Sequence, residues 1–238
     1  MASMRNLSVA TVRRAINALS SLYVWAVRFG HAHRNPVDPV ERPGRRKRVQ
    51  PCPSPADVRA ILAAARNDTE RAVILALATS GLRRAELIAV EWPTVDLDRR
   101  RMRIHGKGDK QREVPIFEDL LAALYVLRAR LGAPPSGPVF RGRQGGPLAP
   151  STLQRWLNHW LEVADLRDAE GNRYSLHSLR RYAAKRWLES GLNIRQVQML
   201  LGHEDLQTTM LYLSYDFEEI QREAANIDFR LADRASIA

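Results

Sequence analysis

Along most of this chain, apolar residues recur every three or four positions; in one short stretch they alternate. Val12, Ile16, Leu19, Tyr23 and Val27 keep the helical period, so Val9–Phe29 is predicted as one helix, or two close ones, that Asn35-Pro36 and Pro39 stop. Ser54 opens a second helical pattern, PADVRAILAAAR, with Asp57 in its first turn. Arg71 to Thr79 is an apolar helix, Ser80-Gly81-Leu82 interrupts it, and RRAELIAV resumes helix up to Trp92-Pro93, with Arg83 and Glu86 on the new first turn. VDL, RMRIHG and REVPI then read as three strands of an antiparallel sheet, with turns at 98–100 and 106–110. Helices resume at Glu118–Leu131 and, after a Pro- and Gly-rich loop over 132–150, at Ser151–Ala164, where Trp156 and Trp160 are core anchors. The expected fold is mainly α with a small three-stranded antiparallel β-sheet.

Three short helices are predicted between Ser175 and Tyr215. Ser175 caps the first and Gly191 ends it; Asn193 caps IRQVQMLL and Gly202 ends it; Asp205 starts LQTTMLYLS. His177 and Arg180, three apart, project from one face, and His203 lies just past a helix stop. Phe217–Asn226 reads as a last, acid-rich helix.

Charge changes the picture from an ordinary globular protein to one with a polyanionic partner. The formal net charge is +11, and the first sixty residues hold eleven Lys and Arg against three Asp and Glu. Nucleic acid is the first candidate and an anionic membrane surface the second. The run from Glu41 to Pro55 combines Pro and Gly breakers with Arg42, Arg45, Arg46, Lys47 and Arg48, a basic strap able to neutralise phosphates between two lobes. Arg13 and Arg14 give the first helix a basic face, and Lys110 lies beside the hairpin tip. The expected division is a short helical segment over 1–40, a basic linker over 41–53, a second domain over 54–227 and a tail over 228–238. A single cysteine, Cys52, excludes an internal disulfide and fits a reducing compartment. With no apolar run of spanning length and no secretory signal at its start, the chain is expected to be soluble and cytoplasmic, at the nucleoid when bound to DNA. No Cys/His ligand spacing and no Walker-type phosphate loop is present, so neither metal nor cofactor is expected.

The candidates for chemistry are Arg83, Lys107, His177, Arg180, His203 and Tyr212. Two arginines can grip a phosphodiester bidentately and hold the charge of its transition state. A lysine between two hairpin glycines can protonate a leaving alkoxide, and a histidine can exchange a proton with the nucleophile. A tyrosine can attack phosphorus and store the strand as a phosphotyrosine. Taken singly, each residue is more readily a structural or surface group; it is their order and joint presence that favours a site. Tyr215, one helical turn after Tyr212, is a rival nucleophile that spacing leaves open.

GLRRAEL, HGKGDKQREVPI, LHSLR and LLGHEDLQTTMLY, in that order, resemble the tyrosine recombinase (phage integrase) family, in its Xer-like form, over Ser54 to Ile227. The resemblance places Arg83 at the family's first arginine, Glu86 at its acidic support, Lys107 at its hairpin lysine, His177 and Arg180 at its His-x-x-Arg and His203 at the histidine of Leu-Gly-His. Tyr212, nine residues later, falls at its nucleophile. It implies a tyrosine-recombinase-type catalytic domain, preceded here by a shortened, partly SAM-like core-binding segment whose SVATVRRAINALSSLYVWAVRFGHAHRNPVDPV matches the family's last helices. Arg181 departs from it, since a histidine is usual there. The implied activity is site-specific recombination of double-stranded DNA through a 3′-phosphotyrosyl intermediate and a Holliday junction. Four protomers on two sites are implied, and an accessory directionality protein is left open as a further partner. Two other readings compete: a DNA-binding regulator without cleavage, and a type IB-like topoisomerase.

Overall fold

A computed structural model describes residues 7–44, 51–106, 111–168 and 170–202, with 221, 222, 224, 225 and 227 near the end. The chain divides into two compact units, Met1–Val49 and Gln50–Ala238.

The first unit is built on α1 (Val9–Arg28), which begins where Ser8 Oγ accepts the Thr11 N–H. Beyond its C-terminus, Asn35 organises the turn: its Nδ2 donates to Ser20 Oγ at 3.2 Å and to Asp38 Oδ1 at 2.6 Å, and its Oδ1 accepts the Val37 N–H. Arg13 donates to the Pro43 carbonyl, so one of the cations expected to reach outward is partly engaged by its own chain. Arg14 and Arg42 are exposed.

In the second unit α2 (Pro55–Ala63) starts at the predicted Ser54 with a reciprocal cap, Ser54 Oγ accepting from Asp57 N and Asp57 Oδ2 from Ser54 N. The centre is α3 (Asp68–Ser80), every residue of which from Ala72 onward is buried. Its successive positions there carry small or aliphatic side chains, or a hydroxyl such as that of Thr79, which donates back to the Leu75 carbonyl. It packs between α5 (Glu118–Arg130) and α7 (Leu176–Glu189). At its N-terminal end the buried Glu70 accepts Trp160 Nε1–H at 2.8 Å, which pins α6 (Pro150–Val163) to the core. At its other end Gly81 takes φ +59°, and a Cβ there would lie 3.0 Å from Trp187, so a left-handed, side-chain-free residue is required.

The short α4 (Arg84–Ala89) follows, with a 3-10 turn at Trp92–Thr94. The resumed helix is therefore briefer than predicted, and Arg83 stands at its N-cap instead of inside its first turn. The sheet is the expected three-stranded antiparallel one, in the order β1 (Val95–Asp96), β2 (Arg101–His105), β3 (Gln111–Pro115). Met102 pairs with Val114 and Ile104 with Arg112; Met102, Ile104 and Val114 are buried. α8 (Ile194–Leu201) is capped by Asn193, which accepts from Arg195 N and Gln196 N, and ends on Gly202 at φ +63°. The predicted helix from Asp205 lies outside the described residues; of the one predicted over Phe217–Asn226, Gln221, Arg222 and Ala224 are described and are helical. Among the described residues no helix is long and apolar enough to cross a membrane.

Candidate active site

The left-handed turn at Gly81 and the buried Leu82 bring Arg83 to the start of α4, where Glu86 reaches back to it. Glu86 Oε2 accepts the Arg83 main-chain N–H at 2.7 Å, and Oε1 accepts Arg83 Nη1 at the same distance. A second guanidinium meets the same carboxylate from β3: Arg112 donates Nη1 to Oε1 at 2.9 Å and Nη2 to Oε2 at 2.8 Å, a fork-to-fork pair. A third comes from α7, Arg180 Nη1 standing 3.6 Å from Oε2. Arg83 and Arg180, distant in sequence, are thereby brought to one carboxylate.

The same three arginines close the end of α8. The last carbonyls of a helix have no intrahelical donor. Here Arg112 Nε donates to Leu200 O at 2.8 Å, Arg180 Nη2 to Leu201 O at 2.5 Å, and Arg83 Nη2 to Gly202 O at 2.9 Å. Arg180 also donates Nη1 to Gly81 O at 2.6 Å, so it ties the end of α3 to the end of α8. The absence of a side chain at Gly202 leaves room for this: a Cβ there would sit 3.0 Å from Arg112 Nη1.

Electrostatics follow from the packing. Burial pushes the Glu86 carboxyl up, but the Arg112 hydrogen bonds, the Arg83 N–H and the surrounding guanidinium charge outweigh it and hold its pKa down to about 2. Burial, followed by the charge of Arg83, lowers Arg180 to about 10, with Glu86 opposing; it remains a cation at neutral pH. Three guanidiniums around one carboxylate leave a net excess of positive charge. The Arg83 side chain is 39% exposed and that of Arg180 only 8%, so Arg83 is the more open to an incoming anion. His177 lies one turn before Arg180 and is exposed, unlike its buried partner on that face. Burial and the charges of Arg180, Arg181, Arg83 and Arg84 lower its pKa, which leaves the imidazole neutral and able to accept a proton.

Of the sequence-predicted site residues, Arg83, Glu86, His177 and Arg180 are therefore gathered in one region. Lys107, His203 and Tyr212 lie outside the described residues, as do the rival Tyr215 and the basic residues Arg45, Arg46, Lys47, Arg48 and Lys110. Arg112 was missed. The signal was present: it is two residues from the inward Val114, so a strand's alternation turns a charged side chain toward the protein interior. Arg181 serves locally, donating Nε and Nη2 to the Pro51 carbonyl at 3.0 and 2.9 Å and Nη2 to Ser178 Oγ at 3.0 Å. Among the described residues no three His, Cys, Asp or Glu side chains cluster as a metal site would need.

Comparison with known proteins agrees with this geometry. Residues 54–219 match the Phage integrase family. Tyrosine recombinase XerC of Xylella fastidiosa (strain 9a5c) is 33% identical over 225 residues, covering 92% of this chain and 74% of that protein. The integrase of mycobacterium phage Brujita superposes with a TM-score of 0.65 at 28% identity, covering 100% of this chain and 80% of that one. A lambda integrase dimer bound to a COC′ core site shares the fold at a TM-score of 0.69 and 20% identity, covering 87% of this chain and 76% of that one. With its family pattern running from the cap of α2 past the end of α8, and with paired arginines assembled on one carboxylate, the chain belongs to the phage integrase family, the tyrosine recombinases.

Proposed function

We propose that this chain cuts and rejoins double-stranded DNA at a specific site by transesterification onto Tyr212, exchanging strands through a Holliday junction. The observation that carries this reading is the convergence of Arg83 and Arg180 on Glu86 and on successive carbonyls at the end of α8. Two guanidiniums so placed can bind the non-bridging oxygens of one phosphodiester and offset the charge that grows on them as phosphorus becomes five-coordinate.

In the proposed step the Tyr212 phenol oxygen bonds to phosphorus as the bond to the 5′ oxygen breaks. His177, neutral at working pH, takes the phenol proton. Lys107 gives a proton to the leaving 5′ oxygen, and His203 donates to a phosphate oxygen. The strand is held as a 3′-phosphotyrosyl ester with a free 5′-hydroxyl. Attack by the 5′-hydroxyl of the partner strand reverses these transfers, and the ester conserves the bond energy. Arginine charge fills the part that Mg²⁺ plays in other phosphoryl transfers. Four protomers on two sites complete the exchange, as family membership implies. The 1–40 segment and the basic 41–53 strap contribute to gripping the duplex through Arg13, Arg14, Arg42, Arg45, Arg46, Lys47 and Arg48, with Lys110 as a further DNA contact.

A nicked suicide duplex, which loses its 5′ fragment after cleavage, tests the reading. The wild type is expected to form a covalent adduct that peptide mapping places on Tyr212, with EDTA present or absent. Tyr212→Phe should bind DNA and form none. An adduct that persists in Tyr212→Phe and vanishes in Tyr215→Phe would move the nucleophile; none with the wild type, at binding concentrations, would leave a DNA-binding protein without cleavage.

A further inference from the structure

Arg112 is not among the groups assigned to the phosphate, yet all three of its guanidinium nitrogens are engaged within the protein. Its side chain is 11% exposed, its two terminal nitrogens fork onto both oxygens of Glu86, and its Nε is spent on Leu200 O. A guanidinium used on two faces at once fixes position and angle together, which an ammonium cannot do. The three elements that meet at it each lead to a different part of the site. β3 follows directly in sequence the segment that contains Lys107. Glu86 holds Arg83 through both its main chain and its side chain. Leu200 precedes the Gly202 turn that delivers the chain to His203. Gly202 has its own stake in the arrangement, because any Cβ there meets Arg112 at 3.0 Å from Nη1 and 3.1 Å from Cδ.

We propose that Arg112 is the positioning residue of the cleavage site: clamped between Glu86 and the end of α8, it locks the β2–β3 hairpin, the start of α4 and the α8 turn into one register, so that the groups these elements carry address the same phosphate. This rests on the cleavage activity proposed above. Arg112 does not touch DNA in this role. Its removal alters how well the bound linkage is aligned, not how tightly the duplex is held.

The test uses the full chain, pooled nicked suicide duplexes made from the DNA flanking its own gene, and the variants Arg112→Met and Arg112→Lys. Lys keeps the charge and loses the fork. Misalignment by a fraction of an ångström to one ångström reduces the saturated single-turnover cleavage rate by on the order of 100-fold, with the half-saturating DNA concentration within about threefold of wild type in both variants. Hydrogen exchange supplies a readout independent of activity: β3 and the last turn of α8 lose amide protection together, while α3 and α5 keep theirs. A wild-type cleavage rate in Arg112→Lys overturns the proposal, as does a loss carried wholly by the half-saturating concentration. Unchanged exchange at the end of α8 overturns it too, and so does protection that disappears throughout the core in both variants. If the wild type forms no adduct on any duplex, the cleavage reading fails instead, and the exchange pattern still decides whether Arg112 fastens hairpin to helix.

Discussion

Replacing Glu86 by Gln keeps the shape of the side chain and removes the charge that three arginines surround. The size of the effect follows from the site. The carboxyl falls from an ordinary 4.5 to about 2 in the folded protein, and such a drop corresponds to about 3 kcal/mol of preferential stabilisation of the ionised form. Breaking a buried ion pair by neutralising one member costs about 3–5 kcal/mol in other proteins, which is the same range. The folded-state pKa lies below the unfolded one, so this stabilisation is fully present above 4.5 and is lost as pH falls toward 2. Urea unfolding of wild type and Glu86→Gln, followed from neutral pH downward, measures it. The variant is expected to be less stable by about 3 kcal/mol at neutral pH, and the gap should close across the acid range, because other carboxylates such as Glu70 are common to both proteins. A gap under about 0.5 kcal/mol at neutral pH, the size of an ordinary surface substitution, would refute the reasoning. So would a gap that stays constant as the acid range is crossed.

Trp160→Phe removes the indole donor from the buried Glu70 Oε2, which keeps the Arg66 main-chain N–H, and is expected to cost about 0.5–1.5 kcal/mol in the same unfolding assay; no change would mean that the bond contributes nothing. Gly81→Ala forces a side chain into a left-handed residue and against Trp187 and Leu201, for an expected loss of about 2–4 kcal/mol, and a neutral result would show that the α3–α7 packing yields freely. Neutralising Arg42, Arg45, Arg46, Lys47 and Arg48 together should reduce the slope of log K against log salt for duplex binding by up to about 4.5, at about 0.9 for each phosphate no longer neutralised; an unchanged slope removes the strap from the DNA interface.

Much of this architecture could be read from local chemistry. Ser54 and Asn193 start helices in both sequence and structure, and the structure closes each with a reciprocal partner, Asp57 and Gln196, within four residues. Gly81 and Gly202 end helices where their φ values require glycine. What local pattern could not supply was the meeting of distant parts. An arginine is not a capping residue by type, so nothing short-range indicated that Arg83 would stand at the N-cap of α4, held there by a side chain one turn on. The pair at 83 and 86 looks, in sequence, like an exposed helix pair worth a few tenths of a kcal/mol; burial and a third and fourth partner change its magnitude. Arg112, at the start of the predicted strand REVPI, reads as one more surface cation until strand register, which pairs it with Ile104, turns it inward.

The arginine-capped end of α8 also bears on how the protein is made. Arg180 reaches back across 99 residues to Gly81 and forward across 21 to Leu201. No short fragment of the chain holds this arrangement, since the three guanidiniums are fixed only after segments spread from Gly81 to Gly202 have docked. Pairings of such long range form late, when the chain entropy they cost is already offset by the core. On the cleavage reading proposed above, a molecule still emerging from the ribosome, or one caught partly unfolded, lacks the cluster that grips the phosphodiester, so competence to break a strand arrives only with the finished fold.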